Sequence, residues 1–465
     1  MSTTAEDFDL VVLGGGPGGY GAALAAGSAG LRVAVVEERR VGGTCLHRGC
    51  IPAKELLQTA EVLRTVAGAA EFGVAAGAPV LDLVASQGRK QGVVDRLAGG
   101  LEKLLEGRKA KVFPGRGVLV DGPGRLVRID DGTELTGAHV VVATGSEARS
   151  LPGLDFDGER VLSSDHVLEL TSVPSRVAVV GGGAIGCEFA SLLGDFGAEV
   201  TVLEVLPQIL AGADAQVAKV VARSFDKRGI TVRTGATVVG LDRGSSDVAL
   251  RYEGAQGEER VIVDKIVVSV GRRPRSEAVG LAEAGVRIDE RGYIVVDAQM
   301  RTSVPGVFAV GDVVATPQLA HVAFAEAIVA VGAMLGEDPA PIDYERVPWA
   351  IYCRPEVAFC GLTEEQARAR GIDVVTSVHR FAGNSRAMII GETEGLVKLV
   401  AERDGPILGV HVAGPWATEL LAEGYLAVNW EARAADIAAL VHAHPTLSEL
   451  FGESAMALAG RTLHG

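Results

Sequence analysis

The apolar residues of this chain fall in short unbroken runs rather than in a helical or alternating stripe. Phe8 to Leu13 is such a run, and its length and lack of alternation predict a strand buried on both faces of a parallel sheet. The glycine turn Gly14-Gly15-Gly16-Pro17-Gly18-Gly19 follows, then an alanine-rich helix to about Ala29 with Gly30 as its stop. A second strand, Val33 to Val36, ends at Glu37.

The same order returns 167 residues later without a gap. Arg176 to Val180 predicts a strand, Gly181-Gly182-Gly183-Ala184-Ile185-Gly186 a turn, and the segment through Phe196 a helix stopped by Gly197. A strand from Val200 to Leu203 then ends at Glu204. Gly14, Gly16, Gly19 and Glu37 thus correspond to Gly181, Gly183, Gly186 and Glu204. A lone GxGxxG is a weak signal, but both copies follow a strand, open a helix and carry an acid about 20 residues on. The glycines let backbone close on a pyrophosphate at a positive helix end, and the acid accepts from an adenosine ribose. The chain is therefore expected to hold two dinucleotides, and Glu204, acidic where a 2′-phosphate would sit, favours NAD over NADP.

Three more apolar runs end in glycine turns: Val140 to Ser146 through Thr144-Gly145, Ile266 to Pro274 through Gly271, and Val307 to Asp312 through Gly311. After about Pro348 the composition changes, with all three tryptophans and five of the nine histidines beyond that point. The pattern predicts an α/β fold: two Rossmann-like dinucleotide-binding domains followed by a C-terminal α+β domain. Boundaries are placed at 1–150 for the first part of one nucleotide domain, 151–275 for the second, 276–345 for the remainder of the first, and 346–465 for the C-terminal domain.

Composition narrows the function. A net charge of −15 over 465 residues, with no long basic stripe, excludes nucleic acid and anionic membrane as main partners. Arg272, Arg273 and Arg275 form too short a cluster to change this. The apolar stretch from Leu10 to Val36 is preceded by acids and rich in glycine, which suits neither a signal peptide nor a spanning helix. Five cysteines and no export signal argue against a structural disulfide framework, and a cytoplasmic location is expected.

Cys45 and Cys50 are the exception among those cysteines. They lie in Gly42-Gly43-Thr44-Cys45-Leu46-His47-Arg48-Gly49-Cys50-Ile51-Pro52-Ala53-Lys54. In a regular helix their Cα atoms would stand about 8.7 Å apart, beyond the roughly 7 Å a disulfide allows. If they bridge, the backbone must be irregular, as Gly42, Gly43 and Gly49 permit. Cys187, Cys353 and Cys360 read as core thiols, and a bridge between the last two has no support. Near the end, His442-Ala443-His444-Pro445-Thr446-Leu447-Ser448-Glu449 offers His444 as an acid/base oriented by Glu449. A surface histidine beside a helix cap is the plainer alternative. No third metal ligand lies nearby, so no metal is expected.

Together these residues resemble the FAD-dependent pyridine nucleotide-disulfide oxidoreductases. The resemblance spans almost the whole chain, its most specific elements being Gly42 to Cys45, Gly49 to Pro52 with Lys54, Gly186-Cys187-Glu188, Gly311-Asp312, and His442 to Glu449. Within the family it is similar to the branch whose members oxidise protein-bound dihydrolipoamide with NAD⁺. It implies FAD in the first nucleotide site, with Glu37 on the adenosine ribose, Thr144-Gly145 near the linker and Asp312 on the ribityl-pyrophosphate part, and NAD in the second. It implies that Cys45 exchanges with substrate and Cys50 faces the flavin. Lys54 is expected beside flavin N5, paired with Glu188, which also meets the nicotinamide. His444 and Glu449 are expected from the other subunit of a homodimer. The lipoyl group is expected on another polypeptide of a 2-oxo acid dehydrogenase or glycine cleavage complex. An NAD(P)H-dependent reductase of a glutathione- or mycothiol-type disulfide is the alternative, which Glu204 disfavours. His47-Arg48 and Ala53 depart from the family's common Asn-Val or Asn-Met and Ser, a change that bears on the potential of the disulfide.

Overall fold

The computed structural model describes residues 5–121, 124–244 and 247–464. The chain divides into two compact units. The first joins Met1–Leu56, Val84–Arg149 and Arg272–Tyr344, and the second joins Leu57–Leu83, Ser150–Gly271 and Glu345–Gly465.

In the first unit the strands Lys111–Pro114, Val33–Glu37, Glu6–Leu13 and Glu134–Val142 lie side by side, all parallel. Glu134–Val142 shares its second edge between two neighbours. Its first residues pair antiparallel with Leu126–Ile129, while Val140 to Val142 pair parallel with Val307–Ala309. Leu10, Val12 and Val35 have no exposed surface and pack with Ala22, Ala23 and Ala26 of the helix Pro17–Ser28, which is why these strands carry no polar alternation. The turns after Leu13, Val142 and Ala309 meet at the carboxyl ends of the strands, where open parallel sheets bind ligands. A Cβ on Gly14 would lie 2.4 Å from the Ala143 oxygen, and one on Gly18 would lie 2.9 Å from Val310.

The second unit holds the other nucleotide fold. Its parallel sheet runs Thr231–Thr234, Glu199–Glu204, Arg176–Val180, Lys265–Val268, Val161–Leu162. An antiparallel meander, Thr237–Arg243, Val248–Gly254 and Gly257–Val263, is inserted before Lys265. The C-terminal portion is a five-stranded antiparallel sheet in the order Trp349–Ile351, Glu356–Gly361, Ile407–Gly414, Leu396–Glu402, Val374–Arg380. The helices Ala417–Asn429 and Glu449–Leu458 cover it through Leu421, Val428, Leu450 and Phe451. These two portions share a buried ion pair: Lys398 donates to Asp214 Oδ2 at 2.9 Å, with both side chains nearly inaccessible. No helix among the described residues is long and apolar enough to cross a membrane.

Candidate active site

The two glycine turns are copies in detail. Gly14 and Gly181 have φ of 99° and 101°, a left-handed turn that a side chain would strain. A Cβ on Gly19 would sit 1.8 Å from the Gly14 oxygen, and one on Gly186 would sit 1.9 Å from the Gly181 oxygen, so both are required by helix–strand packing. Gly183 is different. Its φ of −74° is open to any residue, and a Cβ there would meet nothing within 4 Å. No demand of the protein's own packing makes this residue glycine. The space it leaves lies at the N-terminus of the helix Ala184–Asp195, whose first N–H groups receive no side-chain cap. Gly16 repeats the arrangement, with only the Gly43 Cα near, at 3.7 Å. Such a cradle fits a pyrophosphate.

The acids at the ends of the second strands complete each copy. Glu37 Oε2 accepts from the Gly15 N–H at 2.6 Å, and Glu204 Oε2 from the Gly182 N–H at 2.6 Å. Their second oxygens accept from the Arg39 and Leu206 N–H groups at 3.0 and 2.8 Å. Both carboxylates are thereby fixed beside their loops, in the place where an adenosine ribose is held in such folds.

Cys45 lies on the short helix Gly43–Arg48, and Cys50 begins the helix Cys50–Gly68. Gly49 breaks the helical path between them, with φ −148° and ψ −110°, so the expected irregular backbone is present. This brings the two sulfurs within hydrogen-bonding reach of each other. The Cys50 sulfur and then burial push the Cys45 thiol far up, while the Lys54 ammonium pulls it down. A pair so arranged gives up one proton far more readily than two. The helix Gly43–Arg48 is seated on the first glycine turn: the Gly42 N–H donates to the Gly15 oxygen at 2.7 Å, and a Cβ on Gly43 would stand 2.5 Å from the Gly16 Cα. His47, one of the departures, spans its own turn by Nε2 to the Val41 oxygen at 2.9 Å.

Thr144-Gly145 and Asp312 also fall in this unit. The Thr144 hydroxyl donates to the Arg275 oxygen at 2.7 Å, and Gly145 turns the chain with φ 71°. Asp312 Oδ2 accepts from the Ser146 hydroxyl at 2.5 Å, and Ser146 Oγ accepts from Arg272 Nε at 2.6 Å. Ser146–Ala148 and Arg272–Pro274 pair as a two-stranded ribbon immediately beside Arg149 and Gly271, where the chain leaves and re-enters the unit. The basic cluster thus has internal partners: Arg273 meets Glu147, and Arg275 meets Glu38 at 2.8 Å. Three residues here were not singled out by sequence reasoning. Ser146 carried no motif, and Glu326, with no exposed surface, accepts from the Gly311 N–H at 2.6 Å from fifteen residues away. Tyr20 lies within electrostatic reach of the two sulfurs, its hydroxyl pushed up to about 12 chiefly by burial.

In the second unit Glu188 is buried on the helix Ala184–Asp195 and accepts from the Tyr352 N–H at 2.9 Å. His444 Nδ1 lies 2.9 Å from Glu449 Oε1, and the ring is 68% exposed. Burial would raise the Glu449 carboxyl, but the Thr446 N–H and the His444 ring together hold it below its usual value. His442 instead turns inward to Glu423 at 2.8 Å. No cluster that fits a metal ion is found among the described residues. Cys187, Cys353 and Cys360 are buried, their Sγ atoms directed at the oxygens of Gly182, Pro355 and Arg346.

Known proteins match throughout. A dihydrolipoyl dehydrogenase of Thermus scotoductus is 43% identical, over 99% of this chain and 99% of its own. One from Bacillus subtilis is 41% identical over 99% of this chain and 100% of its own. Among solved structures, LpdA from Mycobacterium tuberculosis has a TM-score of 0.90 at 28% identity, covering 98% of this chain and 100% of that one. RclA from Escherichia coli, an HOCl-induced flavoprotein disulfide reductase, has a TM-score of 0.86 at 26% identity, covering 96% and 99%. The model of pyridine nucleotide-disulphide oxidoreductases matches residues 8–327, through both glycine turns and the cysteine pair, and that family's dimerisation domain matches 347–455. The chain belongs to the pyridine nucleotide-disulphide oxidoreductase family.

Proposed function

We propose that this flavoenzyme oxidises dihydrolipoamide, carried by a lipoyl-bearing protein of a 2-oxo acid dehydrogenase or glycine cleavage complex, with NAD⁺ as acceptor. The observation that carries the reading is the adjacent thiol pair seated on the first glycine turn, in a chain alike over its length to dihydrolipoyl dehydrogenases. The first cradle, with Glu37 and the Asp312–Ser146 pair, holds FAD, and the second, with Glu204, holds NAD.

In the oxidised enzyme Cys45 and Cys50 are bridged. One substrate thiol gives its proton to His444 as its sulfur attacks Cys45 Sγ, forming a mixed disulfide and releasing Cys50 as a thiolate, and His444 passes that proton to solvent. The second substrate thiol gives its proton to His444 in turn and attacks the substrate sulfur of that mixed disulfide. Cyclic lipoamide leaves, and Cys45 departs as the second thiolate. The substrate has lost two protons and two electrons, and the electrons reside on the cysteine pair. FAD, when bound, supplies the redox chemistry that carries that electron pair to NAD⁺ as a hydride. Glu449 keeps the His444 proton acceptor in the required tautomer. The exposure of His444 supports a role at the active site of a second subunit, the dimer being formed through the C-terminal domain. Lys54 and Glu188 are assigned to the flavin–nicotinamide end by the resemblance. The enzyme works in the cytoplasm.

Cys45→Ser is expected to abolish dihydrolipoamide oxidation while leaving a yellow, folded protein. A variant with normal turnover would end this mechanism. The companion assay compares dihydrolipoamide with NAD⁺ against glutathione- and mycothiol-type disulfides with NADH and NADPH. Fast turnover only with NADPH would overturn the assignment of Glu204.

A further inference from the structure

One face of the helix Ala184–Asp195 is stitched to a short segment of the C-terminal portion. Glu188, Ser191 and Asp195 lie at i, i+3 and i+7, and all three side chains are buried. Against them runs Tyr352–Pro355, the link between the strands Trp349–Ile351 and Glu356–Gly361. The Tyr352 N–H donates to Glu188 Oε1 at 2.9 Å, and the Arg354 N–H donates to Ser191 Oγ at 3.0 Å.

Arg228 closes the stitch. From the C-terminal end of the helix Ala215–Lys227 its Nη1 donates to Ser191 Oγ at 3.1 Å and to the Arg354 oxygen at 3.0 Å. Its Nη2 donates to the Ser191 oxygen at 3.0 Å and to Asp195 Oδ1 at 2.7 Å. Arg64 takes the other oxygen of Asp195. One planar guanidinium, largely buried, therefore binds the helix and the segment together through four acceptors, a geometry that a lysine's point charge does not reproduce.

We propose that Arg228 is a positioning residue for Glu188: by holding Tyr352–Arg354 against the helix it keeps the Tyr352 N–H where it fixes the Glu188 carboxylate. Glu188 begins one turn beyond Gly183, the open point of the second cradle. The inference rests on the assignment of Glu188 to the nicotinamide end and is independent of the dithiol substrate. A plain packing role for the cluster predicts lost stability only. A positioning role predicts a slowed hydride step in a protein that still binds dinucleotide.

The test uses holoenzyme and follows anaerobic bleaching of the flavin by NADH in a stopped-flow instrument, which needs no dithiol. Arg228→Met is expected to slow bleaching by about tenfold, within what a small misplacement of a reacting group costs. Arg228→Lys should fall between, and the NAD⁺ dissociation constant from calorimetry should stay within about threefold, since the cradle itself is untouched. In a Glu188→Gln background, Arg228→Met should add less than about twofold, because the two changes act through one carboxylate. Equal slowing in both backgrounds would overturn the proposal, as would a dissociation constant that weakens in step with the rate. Should Arg228→Met fail to fold, Ser191→Ala removes a single hydroxyl from the stitch and enters the same cycle, with additive effects counting against the proposal. An unmodified enzyme whose flavin NADH does not bleach would refute the NAD assignment itself.

Discussion

Gly183→Ala separates the fold of the second cradle from its ligand. The added methyl meets no protein atom within 4 Å, and the backbone at φ −74° and ψ −171° accepts alanine without strain. Alanine restricts the unfolded chain, worth about 0.4–1 kcal/mol of stabilisation, while as an N-cap it is poorer than glycine by about the same amount. The melting temperature should therefore barely move. Dinucleotide binding should not escape. A methyl in the opening keeps the pyrophosphate from the helix N–H groups, and each charge-assisted hydrogen bond so lost is worth about 1.5–3 kcal/mol. One such loss weakens the dissociation constant by about 10- to 150-fold. Gly186→Ala is the contrast: its methyl would stand 1.9 Å from the Gly181 oxygen, so helix and strand must part and stability must fall as well. Titration calorimetry with NAD⁺ and a thermal melt on each variant decide the matter. Gly183→Ala binding NAD⁺ within about twofold of the parent would refute the reasoning, because the empty space would then face no ligand.

Two further predictions follow from buried or hydrogen-bonded acids. Glu449→Gln should lower kcat for dithiol oxidation by about a hundredfold or more, the range for loss of an oriented general base, while the NADH-driven bleaching of the flavin stays unchanged; loss of both would show damage to the fold instead. Lys398→Met takes away the cation facing Asp214, whose side chain is 4% exposed, together with the same ammonium's bond to Glu364 at 2.8 Å, and breaking a buried pair in this way costs about 3–5 kcal/mol. The double change with Asp214→Asn should recover much of that in denaturant melts. Burial would raise the Asp214 carboxyl, but Lys398 and the Gln216 N–H hold it below its ordinary value. The stability it contributes is thus full above about pH 4, the unfolded value, and is lost as pH falls through the lower folded one. The Lys398→Met/Asp214→Asn protein should lack that acid-dependent slope.

What was legible in the sequence is what short stretches of chain encode. The glycine turns, their acids, the break at Gly49 and the His444–Glu449 pair each lie within about one supersecondary unit, so spacing alone exposes them. The partners that hold those groups in place are of another kind. Tyr352 reaches Glu188 across 164 positions, Ser146 reaches Asp312 across 166, and Lys398 reaches Asp214 across 184. Nothing periodic marks such residues. Lys398 sits in a strand whose other positions are apolar up to Glu402, and only the fold reveals why a cation is tolerated there. Arg272 was visible as part of a basic cluster, yet its use, bracing Ser146 beside Asp312, depends on a ribbon formed by segments 126 positions apart.

The two nucleotide folds share the contacts that build their glycine turns, the bond from the second glycine to its acid being 2.6 Å in each and the Gly19 and Gly186 Cβ positions standing 1.8 and 1.9 Å from the first glycine's oxygen, and they part company just beyond. Position for position, Tyr20 and Gly21 of the first copy stand where the second has Cys187 and Glu188. Gly21 lets the helix Ala320–Met334 come so near that a Cβ would touch Ala327 and Phe324 at 3.3 Å, and the Tyr20 ring packs against Phe324 of the same helix with centroids 5.4 Å apart. In the second copy the same two places hold a core thiol and a carboxylate tied to Tyr352. The two copies thus diverge in what they seat just past the shared loop: the first leaves room for a close-packed neighbouring helix, and the second spends the same place on a buried carboxylate.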